Sequence, residues 1–367
     1  MGRGVDGPRA LAEDRAVIPH ERHSLILRQI ELHGMVITAE FAHRHGVSGM
    51  TVRRDLVALE EKGLLERVHG GAVAPAPHHP TARRRGPLAT IGMVVPSADY
   101  YYPAVIRGAR AAAGQLGIRL VLGVSGYSVD LETEQVGRLV AGGVDGLLVT
   151  PSRTFADDGA TYRLLAGAGV PAVVVERSLE GVDPGTAIGS VRSDHGHGAE
   201  LAVRHLVERG HTRIAVAWRA GPTAAPVLAG VRRAMGALCP GGETLSFPLL
   251  GAAAPPADQR RQLEELLDQV RAADVRAVVV LPDQVAMALV DVATGRGWRV
   301  PDDLALVGYD DEFAALSPVP LTAVAPPKFD VGHTALRSCV DRLRTGRGPA
   351  ALTRVDLLPT LAVRESS

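Results

Sequence analysis

Cysteine is nearly absent. Cys239 and Cys339 are the only two among 367 residues, too few for a disulfide framework or a cysteine-based metal cluster. Their scarcity fits a reducing compartment. Long apolar runs are missing as well. The longest, such as Ala277–Leu281 and Gly146–Val149, have strand length, far short of the roughly 18 residues a membrane helix needs. The first 30 residues scatter Arg, Asp and Glu with no apolar stretch, so no signal peptide is expected and a cytoplasmic location is. Lysine is rare too: 38 of the 40 basic residues are Arg, which reads as coding bias and carries no function. Catalytic signatures are also lacking. There is no phosphate-binding P-loop and no GxSxG elbow. Gly196-His197-Gly198 only partly matches a dinucleotide loop, because Leu201 stands where the third glycine belongs. Asp194, His195 and His197 crowd into one turn without a distant fourth ligand, so they read as a strand-to-helix connection and not a metal site. No enzyme activity, cofactor or metal is expected.

Net charge is also lacking, at 40 basic against 40 acidic residues. A sum hides its distribution. Residues 1–86 carry 13 basic and 10 acidic side chains and 8 of the 13 His; residues 87–367 carry 27 and 30. That is +3 against −3, a weak pointer to nucleic acid at the N-terminal end.

The length fits two or three domains, with an ample core. Residues 1–18 show no period and read as a disordered tail. A compact head follows over 19–74. Residues 75–88, with Pro75, Pro77, Pro80, Pro87 and Arg83-Arg84-Arg85, read as a semi-rigid linker.

In the head, Phe41 and Ala42 sit on a short helix ending at Gly46, and Val47-Ser48 form a turn with Ser48 placed to cap the next helix. Val52, Leu56 and Leu59 recur at i, i+4, i+7 and share one buried face. Met50 and Arg54 lie opposite that face, with Thr51 and Arg53 on its flanks. Such a helix suits the major groove, where Arg can bond a guanine edge bidentately and Thr51 with the helix N-terminus can hold a phosphate. After Gly63 the chain reads as a two-stranded wing, with Arg67 and His69 projecting towards DNA and Gly70-Gly71 making the turn. The same pattern also fits a small helical protein-interaction module with a charged face.

From residue 89 the texture changes to short β-branched runs alternating with helical ones. Strands are expected at Ile91–Val95, Leu120–Val124, Gly146–Val149, Ala172–Val175, Ile214–Ala217, Ala277–Leu281 and Leu304–Val307, with helices between them. This is the rhythm of parallel sheets with helices on both faces, run twice, so two similar lobes are expected.

In such sheets ligands bind beyond the carboxyl ends of the strands. Three of the six tyrosines, Tyr100, Tyr101 and Tyr102, follow Asp99 at the first strand end. Other strand ends lead into Glu176-Arg177, Trp218-Arg219, Pro282-Asp283-Gln284 and Tyr309-Asp310-Asp311. Aromatic faces with acids and arginines suit a polyol, whose hydroxyls both donate and accept. Each of these residues taken singly fits a helix cap or surface ion pair equally well; it is their recurrence that points to a site.

Two resemblances follow. Ser48-Gly49-Met50-Thr51-Val52-Arg53-Arg54-Asp55-Leu56, then Leu59-Glu60, Gly63-Leu64-Leu65 and Arg67-Val68-His69-Gly70-Gly71-Ala72, resembles the winged helix-turn-helix of DeoR-type regulators over about 55 residues. It implies that Thr51, Arg53 and Arg54 lie at the recognition helix and Arg67 to Gly71 in the wing; Ser48 and Met50, at the start of that helix, are candidate DNA contacts beside them. Residues 89 to about 363 resemble the effector domain of LacI-type regulators, which shares its fold with type I periplasmic sugar-binding proteins. The resemblance rests on Ile91-Gly92-Met93-Val94-Val95-Pro96, Gly143-Val144-Asp145-Gly146, Gly210-His211-Thr212-Arg213-Ile214, Val300-Pro301-Asp302-Asp303-Leu304 and Val307-Gly308-Tyr309-Asp310-Asp311. It implies lobe 1 at about 89–190 and 326–349, lobe 2 at about 191–325 and 350–363, three crossovers, a homodimer, and a ligand in the cleft. The implied contacts are Asp99, Tyr101, Arg177, Asp194, Trp218, Asp283 and Asp310, and Tyr102 of the same tyrosine loop is a further candidate. Two departures stand out. Val227 occupies a position where the family often has Arg, which puts a simple hexose in doubt, and the Pro-rich linker replaces the family's hinge helix.

The expected molecule is thus a winged helix-turn-helix joined to a two-lobed α/β body. It would be a DNA-binding regulator, a repressor in both families' usual mode, controlled by a sugar-like effector, with double-stranded operator DNA as partner. The competing reading is a DeoR-like regulator whose sensor derives from a sugar-phosphate enzyme.

Overall fold

The computed structural model describes residues 19–61, 64–68, 70–73, 88–345 and 352–367. The expected tail at 1–18, His69 of the expected wing, and linker residues 75–87 with Arg83–Arg85 lie outside the described residues. The chain divides into two compact units after residue 78.

The head runs α1 (Pro19–His33), β1 (Met35–Ile37), α2 (Thr38–Arg44), α3 (Gly49–Glu61), β2 (Glu66–Val68) and β3 (Gly71–Val73). The strands form one antiparallel sheet in the order β1-β3-β2. Val52, Leu56 and Leu59 of α3 are fully buried against Ile26, Ile30 and Phe41. The i, i+4, i+7 face thus becomes the helix's anchor. A polar tie sits beside this core: Arg22 of α1 grips the buried Asp55 of α3 through Nε at 2.5 Å and Nη2 at 3.1 Å, and His23 Nε2 lies 3.2 Å from the same carboxylate. Burial pushes the Asp55 carboxyl up, but Arg22 and then His23 pull it below the usual range.

In the body, lobe 1 begins with β4 (Ala89–Val95), α4 (Tyr102–Leu116), β5 (Ile118–Val124), α5 (Val129–Ala141), β6 (Gly146–Val149), α6 (Ala160–Gly167), β7 (Ala172–Val175) and β8 (Ile188–Ser193). Lobe 2 follows with α7 (His195–Glu208), β9 (Arg213–Arg219), α8 (Ala224–Leu238), β10 (Glu243–Leu249), α9 (Pro256–Ala272), β11 (Ala277–Leu281), α10 (Asp283–Gly295), β12 (Ala305–Tyr309) and β13 (Thr322–Ala325). The chain then returns through α11 (Lys328–Thr345), β14 (Arg354–Leu357) and β15 (Thr360–Ala362). The sheets are ordered β14-β8-β7-β6-β4-β5 and β10-β9-β11-β12-β13-β15. All neighbours are parallel except β15, which runs antiparallel to β13. Central strands such as Ala172–Val175 and Ala277–Leu281 are buried at every position, as a sheet covered on both faces requires.

The return of the chain corrects two boundaries. Residues 350–363 were expected in lobe 2, but Arg354–Leu357 pairs with β8 in lobe 1 and only Thr360–Ala362 joins lobe 2. The first crossover also falls after Ser193 and not near residue 190, because β8 runs to that point. Three crossovers result, between β8 and α7, β13 and α11, and β14 and β15. Helices α4 and α11 cross with their backbones almost touching: a Cβ on Gly108 would stand 1.8 Å from the Phe329 carbonyl oxygen, and one on Gly332 1.8 Å from that of Val105. No described helix is long and apolar enough to cross a membrane.

Candidate functional site

The head presents α3 to solvent. Ser48 caps it, its Oγ accepting from Thr51 N at 3.1 Å and lying 2.8 Å from Thr51 Oγ1. Thr51 is therefore part of the cap. Met50 is 73% exposed, and Arg53 and Arg54 are exposed beside it. Arg67 of β2 is clipped to the far end of α3: its Nε meets Glu60 Oε2 at 2.6 Å and its backbone N donates to Glu60 Oε1 at 3.0 Å. Gly70 takes φ 86° at the wing turn, and its carbonyl accepts from Thr38 N at 2.8 Å. A Cβ on Gly71 would stand 1.9 Å from the Val36 carbonyl oxygen, so β3 lies on β1 only because Gly71 has none. Arg53, Arg67, Gly70 and Gly71 line a cavity of about 310 Å³ between recognition helix and wing. Of the nine residues expected at DNA, eight fall on this helix and wing; His69 lies outside the described residues.

In the body, a cleft of about 310 Å³ opens between the lobes at the carboxyl ends of both sheets. Tyr100, Tyr101, Tyr102, Tyr127 and Tyr309 line it, five of the chain's six tyrosines. Backbone strain gathers there too. Tyr101, Tyr127, Glu176 and Asp310 have φ of 65°, 62°, 55° and 94°, so four of the six left-handed non-glycine residues among those described line this one cleft. Each costs of order 1–3 kcal/mol, and such outliers concentrate at ligand sites.

The loop after β4 sets the geometry. Tyr102 N donates to Tyr100 O at 2.7 Å, a tight turn about Tyr101 that sends successive tyrosines to different partners. Tyr101 Oη donates to Glu176 Oε1 at 2.6 Å. Tyr102 Oη accepts from Arg177 Nη2 at 3.2 Å. Tyr100 reaches across to lobe 2, donating to Asp283 Oδ1 at 2.6 Å with Asp310 Oδ2 at 3.0 Å. Burial and the two carboxylates, Asp310 foremost, push the Tyr100 hydroxyl's pKa far up, so it is a donor at any working pH. Lys328, the first residue of α11, donates from Nζ to Asp310 O, pairs with Glu312 at 2.6 Å and stands 5.3 Å over the Tyr101 ring.

The acids divide into fixed and available. Glu176 is nearly saturated by Tyr101 Oη, Ser193 Oγ and Ser193 N, and His195 Nε2 lies 3.9 Å away. Burial pushes the His195 pKa down, against the pull of Glu176, which keeps the ring neutral. Asp283 is fully buried and accepts from the backbone of Glu312 and Phe313 as well as from Tyr100. Asp310 has spare acceptor capacity at the cleft surface, and burial pushes its carboxyl up to about 7. Arg177 spends donors on Pro151 O, Glu176 O and Tyr102 Oη, so it braces the loop.

Of the eight expected ligand contacts, Tyr101, Tyr102, Arg177 and Asp310 line the cleft. Asp283 sits just behind it, beneath Tyr100. Three are placed otherwise. Asp99 is exposed outside the cleft lining. Asp194 caps α7, accepting from His197 N at 2.9 Å. Trp218 turns its Nε1–H to Ser246 Oγ on the neighbouring strand, at 2.9 Å. Tyr100, Tyr127, Glu176, His195, Arg219, Gln284 and Tyr309 also line the cleft and are not among the expected contacts. Most stand at the strand ends already noted; Tyr127 had no such signal.

Comparison with known proteins agrees with this layout. Residues 22–78 match the DeoR-like helix-turn-helix domain, and residues 203–367 match the periplasmic binding protein-like domain. The chain is 35% identical over 275 residues to the HTH-type transcriptional regulator CelR of Thermobifida fusca, covering 73% of this chain and 76% of that one. It is 27% identical over 339 residues to the arabinose metabolism transcriptional repressor of Geobacillus stearothermophilus, covering 89% and 90%. Among solved structures, a CelR–cellobiose complex superposes with a TM-score of 0.65 at 28% identity, covering 88% of this chain and 92% of that one. A LacI family transcriptional regulator from Mycobacterium smegmatis superposes with a TM-score of 0.62 at 27% identity, covering 76% and 98%. These relatives are transcription regulators, not enzymes.

Proposed function

The chain belongs to the LacI family of transcription regulators, and on that premise we propose that it is a homodimeric repressor whose hold on operator DNA is set by a neutral sugar in the interlobe cleft. One conjunction carries the reading: a solvent-facing recognition helix in the same chain as a two-lobed body whose cleft gathers five tyrosines and four strained backbone positions. The head is a DeoR-type winged helix, supported by the match over residues 22–78 and by the β1-β3-β2 sheet behind α3. Met50, Arg53 and Arg54 read base edges, while Ser48, Thr51, Arg67 and the glycine turn with His69 hold phosphates. In the body, aromatic faces cover sugar rings and Asp310 and its neighbours answer the hydroxyls, with Arg177 bracing the loop. The cellobiose found with CelR is a neutral saccharide, and the cleft's mixture of acids and arginines suits an uncharged ligand.

The lobes are joined by three crossovers and by Tyr100 reaching to Asp283 and Asp310, and an effector that touches both favours their closure. It shifts DNA binding only by its differential affinity for the open and closed states. A sensor derived from a sugar-phosphate enzyme does not fit, since the body matches the periplasmic binding protein-like domain. The test is a mobility shift on the DNA upstream of the protein's own gene with a panel of sugars. Release by one sugar supports the reading; turnover of a sugar phosphate by the purified protein would overturn it.

A further inference from the structure

We propose that the effector is an oligosaccharide of at least two units, whose outer unit lies in a groove on lobe 2 beyond the cleft. This rests on the reading of the cleft as a sugar site. The groove holds about 470 Å³, more than the cleft's 310 Å³. It runs from the loop between β10 and α9 along the first turns of α10. Cleft and groove share Arg219, Ala252 and Gln284 as a common wall, so the groove begins where the cleft ends. The cleft alone lies at the lower end of the roughly 300–1,000 Å³ that small-molecule sites span. Taken with the groove it reaches well into that range.

The lining has the two-sided chemistry a sugar chain needs. Leu249 and Ala288 give an apolar floor for ring faces, and Asp291 stands at its side for hydroxyls, while Gln262 is tied to the backbone of Leu250 and Pro248. Asp291 is exposed and makes no ion pair among the described residues, which leaves its carboxylate as an acceptor. Arg219 and Arg260 line the same groove, so its wall carries charge of both signs. Arg219 is held at the junction by Leu250 O at 3.1 Å and Gln259 Oε1 at 2.5 Å, so the passage between the two depressions has a fixed edge. Val227 is compatible with this arrangement. It is buried in the lobe 2 core, so specificity drawn from outside the cleft takes the place of a sugar contact from that position.

The experiment is titration calorimetry on the full-length protein with three length series: glucose, cellobiose and cellotriose; glucose, maltose and maltotriose; xylose, xylobiose and xylotriose. In one series a longer member is expected to bind at least tenfold more tightly than its monosaccharide. Ala288→Trp, which fills the groove, is expected to erase that gain while monosaccharide affinity, set by the cleft, serves as the control. Asp291→Ala, a surface change that spares the packing, is expected to cut the gain at least threefold. A monosaccharide that binds as tightly as its longer relatives, or a gain that survives both variants, overturns the groove and leaves the sugar reading intact. If no member of any series binds, the sugar reading itself falls and the groove with it.

Discussion

Burial pushes the Asp310 carboxyl up to about 7; Lys328 opposes the shift, Asp283 adds to it, the Tyr100 hydroxyl opposes it and Glu312 adds to it. The group therefore changes charge near neutrality, inside the cleft. Its folded-state pKa lies above the ordinary 3.8, so the native state holds this proton longer than the unfolded chain. Its contribution to stability therefore falls as pH rises from the ordinary value to about 7 and is level above that. Effector binding carries the opposite slope. A sugar hydroxyl that donates to Asp310 selects the ionised form, so affinity is expected to rise with pH to about 7 and then flatten, with a limiting slope of about tenfold per unit. Asp310→Asn is expected to flatten that profile and weaken binding. Calorimetry across that range in both proteins checks it, and a wild-type affinity that does not change between about pH 6 and 8 sinks the assignment. On the DNA side, Arg54→Ala is expected to cost about 1–3 kcal/mol on the cognate site and little on random sequence. Equal loss on both would mean that Arg54 contacts phosphate. The residue scale is also where sequence reading was least exact. The strand-end rule picked out loops that line the cleft but not the direction of each side chain. The tight turn at Tyr101 sends Tyr100 across to lobe 2, Asp194 is consumed by its own helix, and Trp218 is drawn to Ser246. None of these directions is encoded in spacing along the chain.

Elements were more legible where they are buried on both faces. Gly146–Val149, Ala172–Val175 and Ala277–Leu281 have the bounds their apolar runs predict. The strands that escaped notice lie at or near sheet edges or in mixed sequence. Glu243–Leu249 alternates exposed and half-buried positions and contains Pro248, and Arg354–Leu357 alternates in the same way. An edge strand has one neighbour and one wet side, so it needs no apolar run. The tie between α1 and α3 has no signal in the sequence, since nothing in the spacing of Arg22 and Asp55 joins them until the fold buries both. Arg22→Ala would leave the Asp55 carboxylate buried without its main cation, a loss of about 3–5 kcal/mol. The head's thermal transition is expected to fall sharply, and recognition-helix function with it. Replacing both partners together, Arg22→Met with Asp55→Leu, is expected to recover most of the stability because no charge is left stranded. In the wild type the pair stabilises the head above the ordinary carboxyl pKa of 3.8, and the benefit is lost as pH falls through the lowered value of folded Asp55. Calorimetry of the three proteins decides the matter; an Arg22→Ala head as stable as wild type shows the tie to be idle.

At the scale of the whole molecule, a chain of zero net charge joins a mildly basic first part to a mildly acidic body. A +3 segment makes only a weak general field, so on the proposed dimer tight binding is expected to depend on a few placed arginines used twice, once per head. Among the described residues of α3 and β2, the cations able to meet phosphate or base are Arg53, Arg54 and Arg67, and Arg67 is already paired with Glu60 in the free protein. Each ion released from DNA contributes about 0.9 to the slope of log affinity against log salt. With Arg67 as the described cation that each head sets on phosphate, two heads give a slope of about −2 from the described residues, and one head gives about half of that. The measurement is fluorescence anisotropy over a salt series, on the full operator and on a duplex cut to one half-site. Cutting the operator is expected to halve the slope and to lower affinity at least a hundredfold. A slope unchanged by the cut would mean that a single head makes all the contacts, and the two-headed arrangement would be wrong even if the sugar-dependent release were right.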